Sequence, residues 1–357
     1  MTASRTDVTP AAARQDENHV PPALETPSRS STALRLLLLL FLAVIACVFA
    51  LSVGAAGLPI GDVVAALTGS GDALTRTIVL ELRLPRVALA LVAGAGLALA
   101  GAVFQAVLRN ALAEPYVLGV AGGAAVGAVG AVVFGLAVIP GLVQLAALAG
   151  AIGAMLLVLR IALRVGRALD TRVLLLAGVV VGAFFNAVIL LLLMLADVES
   201  FRSAVFWMMG SLSGASWRTA LLLTLYVIPA IVVLLALARP LNLLAIGEET
   251  ALFLGTRVQR VKLVAYFTAS LLVAAAVSAC GVIGFIGLIV PHAVRLAWGS
   301  DHRLLLPASA LGGGTFLLLA DTAARSIAAP AELPVGVVTA LVGVPIFVLL
   351  LRRSPAL

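Results

Sequence analysis

The sequence is poor in charge: Asp, Glu, Lys and Arg make up 11% of its 357 residues. A soluble domain carries roughly a quarter. Hydrophobic residues reach 63% and mean hydropathy is +1.21, more apolar surface than one water-facing fold hides. Lysine occurs once, at Lys262, followed by Leu263, so no Lys-Ser or Lys-Thr pair can build a nucleotide phosphate loop. Such a loop needs the ammonium for the terminal phosphates and the hydroxyl for magnesium. Any ATP that drives this chain must be hydrolysed on another subunit. Cysteine is reduced to Cys47 and Cys280, each inside an apolar run, which reads as two small buried hydrophobes rather than a disulfide. His19, His292 and His302 have no cysteine neighbours, whereas a metal site needs three or four convergent ligands. No nucleophile, base and acid stand together, so no catalytic residues are assigned. The long apolar runs contain no acid and no Lys or Arg, and only His292 falls near the end of one. That speaks against proton- or sodium-coupled transport, which places ionisable groups in the membrane.

What is present is a series of uncharged runs, and an all-α polytopic integral membrane protein of about ten transmembrane helices follows from them. A span needs about 20 apolar residues. Leu36–Ala56, Val87–Leu108, Val173–Ala196, Thr219–Ala238, Leu304–Ala320 and Leu333–Leu351 each supply one. Pro115–Leu159 is 45 residues long and divides into two at Pro140-Gly141. Leu263–Val294, 32 residues long, is expected to break near Gly281, Gly284 or Gly287, leaving one full helix and one short one. Residues 1–33, with Pro10, Pro21, Pro22 and Pro27, read as a disordered tail. Residues 34–357 form the membrane domain. The run after the tail is too long for a cleavable signal peptide.

The formal net charge of +7 is spread as short flanks between runs rather than gathered in a patch, so nucleic acid is not an expected partner. Lys and Arg instead report orientation. With the amino terminus inside, thirteen fall in inner loops and six in outer ones, the latter including Arg83, Arg86 and Arg325. Both termini are then cytoplasmic. The helices are rich in Ala and Gly, as in Ala88–Ala102 and Gly119–Ala131. Such residues serve close helix packing or a smooth translocation surface. One inner loop, Leu237–Lys262, is unusual. Glu248 and Glu249 suit the first turn of a short helix and Gly255 its carboxyl cap. Two short helices joined at Gly247 are expected there, either resting on lipid or docking a cytoplasmic motor subunit.

Several segments resemble one family in order and spacing: "LRLPR" (Leu82–Arg86), "GAVFQAVLRNALAEPYVLGVAGGA" (Gly101–Ala124) and "LLLAGV" (Leu174–Val179). "LNLLAIGEETALFLG" (Leu241–Gly255), "GFIGLIVPHAVR" (Gly284–Arg295), "DHRLLLPASAL" (Asp301–Leu311), "ADTAAR" (Ala320–Arg325) and "ELPVGVVTALVGVPIF" (Glu332–Phe347) follow. From about Leu82 to Arg353 the chain looks like a FecCD-type permease, the membrane subunit of ATP-binding-cassette importers for iron–siderophores, haem and vitamin B12. The resemblance implies ten helices in the bacterial plasma membrane and a second permease copy or paralogue. It also implies partner ATPase subunits carrying ATP and Mg, and an extracytoplasmic substrate-binding protein. No cofactor is implied for this chain.

By the same resemblance, Arg83, Arg86 and Arg325 dock the binding protein through its glutamates, a geometry suited to bidentate guanidinium contacts. Ordinary surface charge is the plainer reading of these arginines. Gly247, Glu248, Glu249, Leu254 and Gly255 lie in the coupling segment, a loop of about residues 241–260. Asn110 and Leu112 belong to the cytoplasmic gate. There the sequence departs from the family's pattern, with Ala111 in place of a proline, which removes a rigid turn residue. The expected function is import of an iron(III)–siderophore. Haem or vitamin B12 import is the near alternative, and a stand-alone secondary transporter the distant one.

Overall fold

A chain with so few polar side chains satisfies its backbone most directly by helices, and the described residues contain helices but no strand. The computed structural model describes residues 29–54, 57–166 and 169–353. Of the tail read over 1–33, residues 1–28 lie outside the described residues, and 29–33 already form the first turns of α1 (Arg29–Ser52). A short α2 (Ile60–Leu67) follows. One continuous helix then runs from Ala73 to Val107, built of α3 (Ala73–Thr77), a π-helical turn (Ile78–Arg83) and α4 (Leu84–Val107). Next come α5 (Val120–Val133), α6 (Leu142–Val165), α7 (Thr171–Leu195), α8 (Val198–Met208) and α9 (Trp217–Ala236). The loop helices are α10 (Ala238–Ile246) and α11 (Glu248–Phe253). The remainder is α12 (Val258–Cys280), α13 (Ile286–Trp298), α14 (His302–Ile327) and α15 (Val335–Arg353).

Eight of these helices are long and apolar enough to cross a membrane, and α5 and α13 are shorter apolar helices. Ten apolar segments therefore match the ten runs. The long run after Pro115 does break around Pro140, between α5 and α6, and the other between Cys280 and Ile286. One expectation needs correcting: α5 is not a full span. Pro115–Leu118 is a 3-10 turn and Gly119 takes a left-handed conformation, so only 14 residues remain for α5.

The centre is α4, α12 and α14. Of the most apolar 18-residue stretch of each, 78% (within the continuous Ala73–Val107 helix), 67% and 61% is buried within the protein, against 22–28% for the other long helices. Small residues set how closely the centre packs. A Cβ at Gly101 would collide with the Gly287 carbonyl of α13, and one at Gly94 with the Gly313 carbonyl of α14. Gly123 of α5 and Gly150 of α6 face each other in the same way. At these positions glycine serves close packing, where van der Waals contact rather than water exclusion joins helices in lipid.

The break after α12 lies inside the protein, so its backbone needs partners. The Tyr116 hydroxyl accepts from the Ile283 N–H at 2.8 Å and donates to the Ile283 carbonyl. Glu114 Oε1 accepts from the Phe285 N–H at 2.8 Å, and Phe285 itself is left-handed (φ 71°). The Ser211 N–H reaches the Cys280 carbonyl at 2.8 Å. Cys47 and Cys280 are free thiols.

Two acids meet one arginine near the start of α4. Arg86 of α4 grips Asp321 of α14 with Nε and Nη2, both at 2.9 Å, and its Nη1 reaches Glu332 at 2.9 and 3.0 Å. The Asp321 side chain is 2% exposed and that of Glu332 41%. The uncharged-run criterion stops at Val87 and at Ala320, one residue short of each partner, although both helices continue past them.

Two outcomes follow from this packing. Gly101→Val should cost about 3 kcal/mol or more by overpacking and deplete folded, monodisperse protein extracted in detergent. Gly96→Ala, whose methyl would sit at an ordinary 3.5 Å from Val227, should extract like wild type. Asp321→Asn removes the buried carboxylate that Arg86 grips, leaves partly exposed Glu332 as its counter-charge, and should lower stability by about 2–3 kcal/mol, read as an earlier thermal unfolding midpoint. Glu332→Gln should shift that midpoint far less.

Candidate coupling segment and inner gate

The Ala73–Val107 helix carries candidate sites at both ends. At its amino-terminal end Arg83 donates to the Leu51 carbonyl, and Arg325 donates to the Ala50 carbonyl. Both thereby cap α1, whose last carbonyls have no helical partner of their own. Arg325 Nε also lies 4.0 Å from Asp321. The three arginines expected to dock an external protein are therefore gathered in one cluster. Their guanidiniums, however, are turned inward and engaged by their own chain. The sequence reasoning missed Asp321 and Glu332, which sit inside the quoted "ADTAAR" and "ELPVG" segments. Their complementarity in charge to Arg86 was the available signal.

At the opposite end lies the segment expected to couple to a motor subunit. The two short helices form as expected and meet at Gly247. Glu248 and Glu249 occupy the first turn of α11, where its dipole favours acids. Its carboxyl end closes with the Gly255 N–H on the Leu252 carbonyl and the Thr256 N–H on the Ala251 carbonyl, both at 2.9 Å. Gly255 takes φ +80°. This is a Schellman cap, for which glycine is the favoured residue.

α11 buries Ala251 and leaves Leu252, Phe253 and Leu254 exposed, with Phe253 at 91%. Behind that apolar tip the segment is anchored twice. Asn242 of α10 donates to Asp301 Oδ1 at 2.7 Å and accepts from the His302 N–H at 2.9 Å, fixing it to the start of α14. Glu248 pairs with Lys262 of α12 at 2.8 Å. The Lys262 Nζ also donates to the Leu169 carbonyl at 2.6 Å, and Gln259 Oε1 accepts from the Leu169 N–H at 2.9 Å. Neither Lys262 nor Gln259 was picked out as a site residue. The one lysine among many arginines was the only sequence mark either left.

Asn110 lies on the neighbouring loop, after left-handed Arg109 (φ 49°). Its Oδ1 accepts from the Leu112 N–H at 2.9 Å, and its carbonyl from the Ala113 N–H at 3.1 Å. The asparagine thus closes the turn that a proline at position 111 would have stiffened. A recess of about 860 Å³ is lined by Arg109, Asn110, Asp170, Arg172, Glu248 and Gln259, among others. The structure accordingly brings Asn110 and Glu248 onto one cavity. Leu112, Gly247, Glu249, Leu254 and Gly255 do not line it. No cluster of three metal-ligating side chains exists among the described residues.

Known proteins share both sequence and architecture with this chain. The sequence model of the FecCD transport family matches residues 40–353. The cobalamin import system permease protein BtuC of Halobacterium salinarum is 48% identical over 277 residues, covering 78% of this chain and 74% of that protein. The hemin transport system permease protein HmuU of Yersinia pestis is 41% identical over 292 residues, covering 80% and 86%. A solved inward-facing structure of a metal-chelate type ABC transporter aligns with TM-score 0.82 and 33% identity, covering 89% of this chain and 99% of that one. With ten apolar helices among the described residues and most of its length inside the family match, the chain belongs to the FecCD transport family of ABC importer permeases.

Proposed function

We propose that this permease carries a bulky metal chelate inward, an iron(III)–siderophore foremost, with haem and cobalamin as alternatives. In this reading ATP and Mg are bound by partner ATPase subunits. A second permease copy completes the pathway and an external binding protein delivers the cargo. The support for the cargo class is chemical. The relatives' names specify cobalamin and hemin, and the structural neighbour is of metal-chelate type. Each is a metal wrapped in a large organic ligand.

The observation that carries the ATP-driven reading is the form of α11. It is a six-residue helix with a defined carboxyl cap, tied from behind by Glu248, with Phe253 and its neighbours standing clear. So short a helix offers little apolar face to lipid. A rigid apolar knob of this size suits a groove on a protein partner. The same end bears Arg109, Arg172, Arg257 and Arg260, which supports a cytoplasmic location for it and for both termini. In this reading the Arg83–Arg86–Arg325 cluster faces outward from a bacterial plasma membrane. There a binding-protein glutamate would join or replace Glu332 at Arg86.

Purified with its cognate ATPase and reconstituted with binding protein, the complex should import one of iron(III)–ferrichrome, hemin or cyanocobalamin only when ATP is enclosed with the ATPase. Proton-driven flux through the permease alone would overturn the reading. Phe253→Arg combined with Leu254→Arg should weaken ATPase co-purification by roughly ten-fold or more, as loss of a hot-spot contact does. Membrane insertion should be unchanged. Undiminished co-purification would assign α11 to lipid instead.

A further inference from the structure

The coupling segment and the gate-side recess are joined by one side chain. Lys262 is 1% exposed, and its ammonium has two partners on different elements: Glu248 on α11, and the Leu169 carbonyl just before α7. One helical turn earlier on α12, Gln259 takes the N–H of the same residue, Leu169. Both backbone groups of Leu169 are therefore held from α12, and the Leu169 side chain is itself buried. The next residue, Asp170, caps α7 by accepting from the Arg172 N–H at 2.7 Å. Thr171 Oγ1 lies 3.4 Å from the Val107 carbonyl, where α4 ends and the Asn110 turn begins.

A buried ammonium that loses its carboxylate is left uncompensated. It therefore resists any displacement of α11 that does not carry Lys262, and with it Leu169, along. Glu248 is the yielding partner, since its side chain is 34% exposed and faces the recess.

We infer that Lys262 is the positioning residue that transmits the position of α11 to Leu169, and so to the start of α7 and the turn at Asn110. The inference rests on the importer reading above and adds to it the route by which a motor subunit's movement reaches the inner end of the pathway. Lys262 touches neither cargo nor nucleotide; it acts through Leu169. A lysine that only braced the fold would show the same contacts, and spatial connection alone is not coupling. The test therefore reads coupling itself.

In proteoliposomes holding the full complex, cargo moved per ATP hydrolysed is measured with iron(III)–ferrichrome, hemin or cyanocobalamin, whichever the wild type imports. Lys262→Met should keep ATP hydrolysis within about two-fold of wild type. Its transport per ATP should fall by roughly ten-fold, in the range of site-to-site coupling. Lys262→Arg, which retains the charge and both acceptors, should recover most of that loss. Amide exchange at residues 169–172 should respond to MgATP with vanadate in wild type and in Lys262→Arg, and cease to respond in Lys262→Met. A Lys262→Met complex that transports per ATP as the wild type does, or keeps its exchange response, overturns the inference. Should Lys262→Met fail to fold, Glu248→Gln decides. It leaves the Lys262–Leu169 bond in place, so a fallen transport ratio supports the link and an unchanged one overturns it. Absence of ATP-driven uptake by the wild-type complex would remove the importer reading and this link together. Intact uptake with unaffected variants would remove the link alone.

Discussion

Close approach of α4 to its neighbours is the constraint on which the rest of the structure depends. Backbone meets backbone where Gly94 faces Gly313 and Gly101 faces Gly287, and neither contact survives a side chain. Because α4 is fixed at its middle by these contacts, its two ends are fixed as well. One presents Arg86 to Asp321, and the other hands over to Arg109 and the Asn110 turn. Gln105, near that second end, adds a polar tie. Its amide donates to the Gly287 carbonyl at 3.2 Å while its oxygen accepts from Arg295. The two candidate functional ends of the molecule are thus borne on one rod whose position is set by missing methyl groups.

Polar groups in this protein serve mainly to complete other parts of the same chain. Arg83 and Arg325 end α1, Asn242 holds the start of α14, and Glu114 and Tyr116 supply the hydrogen bonds that the interrupted α12–α13 backbone lacks. This economy is what an apolar solvent enforces, since an unpartnered N–H or carbonyl there has no water to turn to. It also explains why ionisable residues cluster at the two ends of the bundle and, with Glu114, at the break between α12 and α13. These are the places where helices stop and leave orphan groups behind.

Much of the architecture was legible because hydropathy and glycine–proline punctuation act locally. Pro140-Gly141 and the glycines after Cys280 announced their breaks, and Gly255 announced the end of α11. The shortness of α5 was not visible, because the 3-10 turn at Pro115 and left-handed Gly119 lie within an unbroken apolar run. Helix extents near Arg86 and Asp321 were hidden for the opposite reason. A charge read singly marks the end of a span, whereas two charges 235 positions apart neutralise each other within it. The two short helices that meet at Gly247 were placed by pattern, but their attachment to Leu169 through Lys262 depends on α6 and α12 coming together in space. No local signal encodes that meeting. Arg83, Arg86 and Arg325 show the same limit, since their charge was readable and their inward partners were not.

The single lysine has one more consequence. Because Lys262 is enclosed, the folded chain presents no lysine ε-amine to water over its whole length. Amine-selective acylating reagents would leave this ammonium unmarked until α12 parts from the segments at Leu169 and Glu248. Covalent labelling at this one nitrogen would then record how often this end of the molecule comes open, without any probe having been introduced.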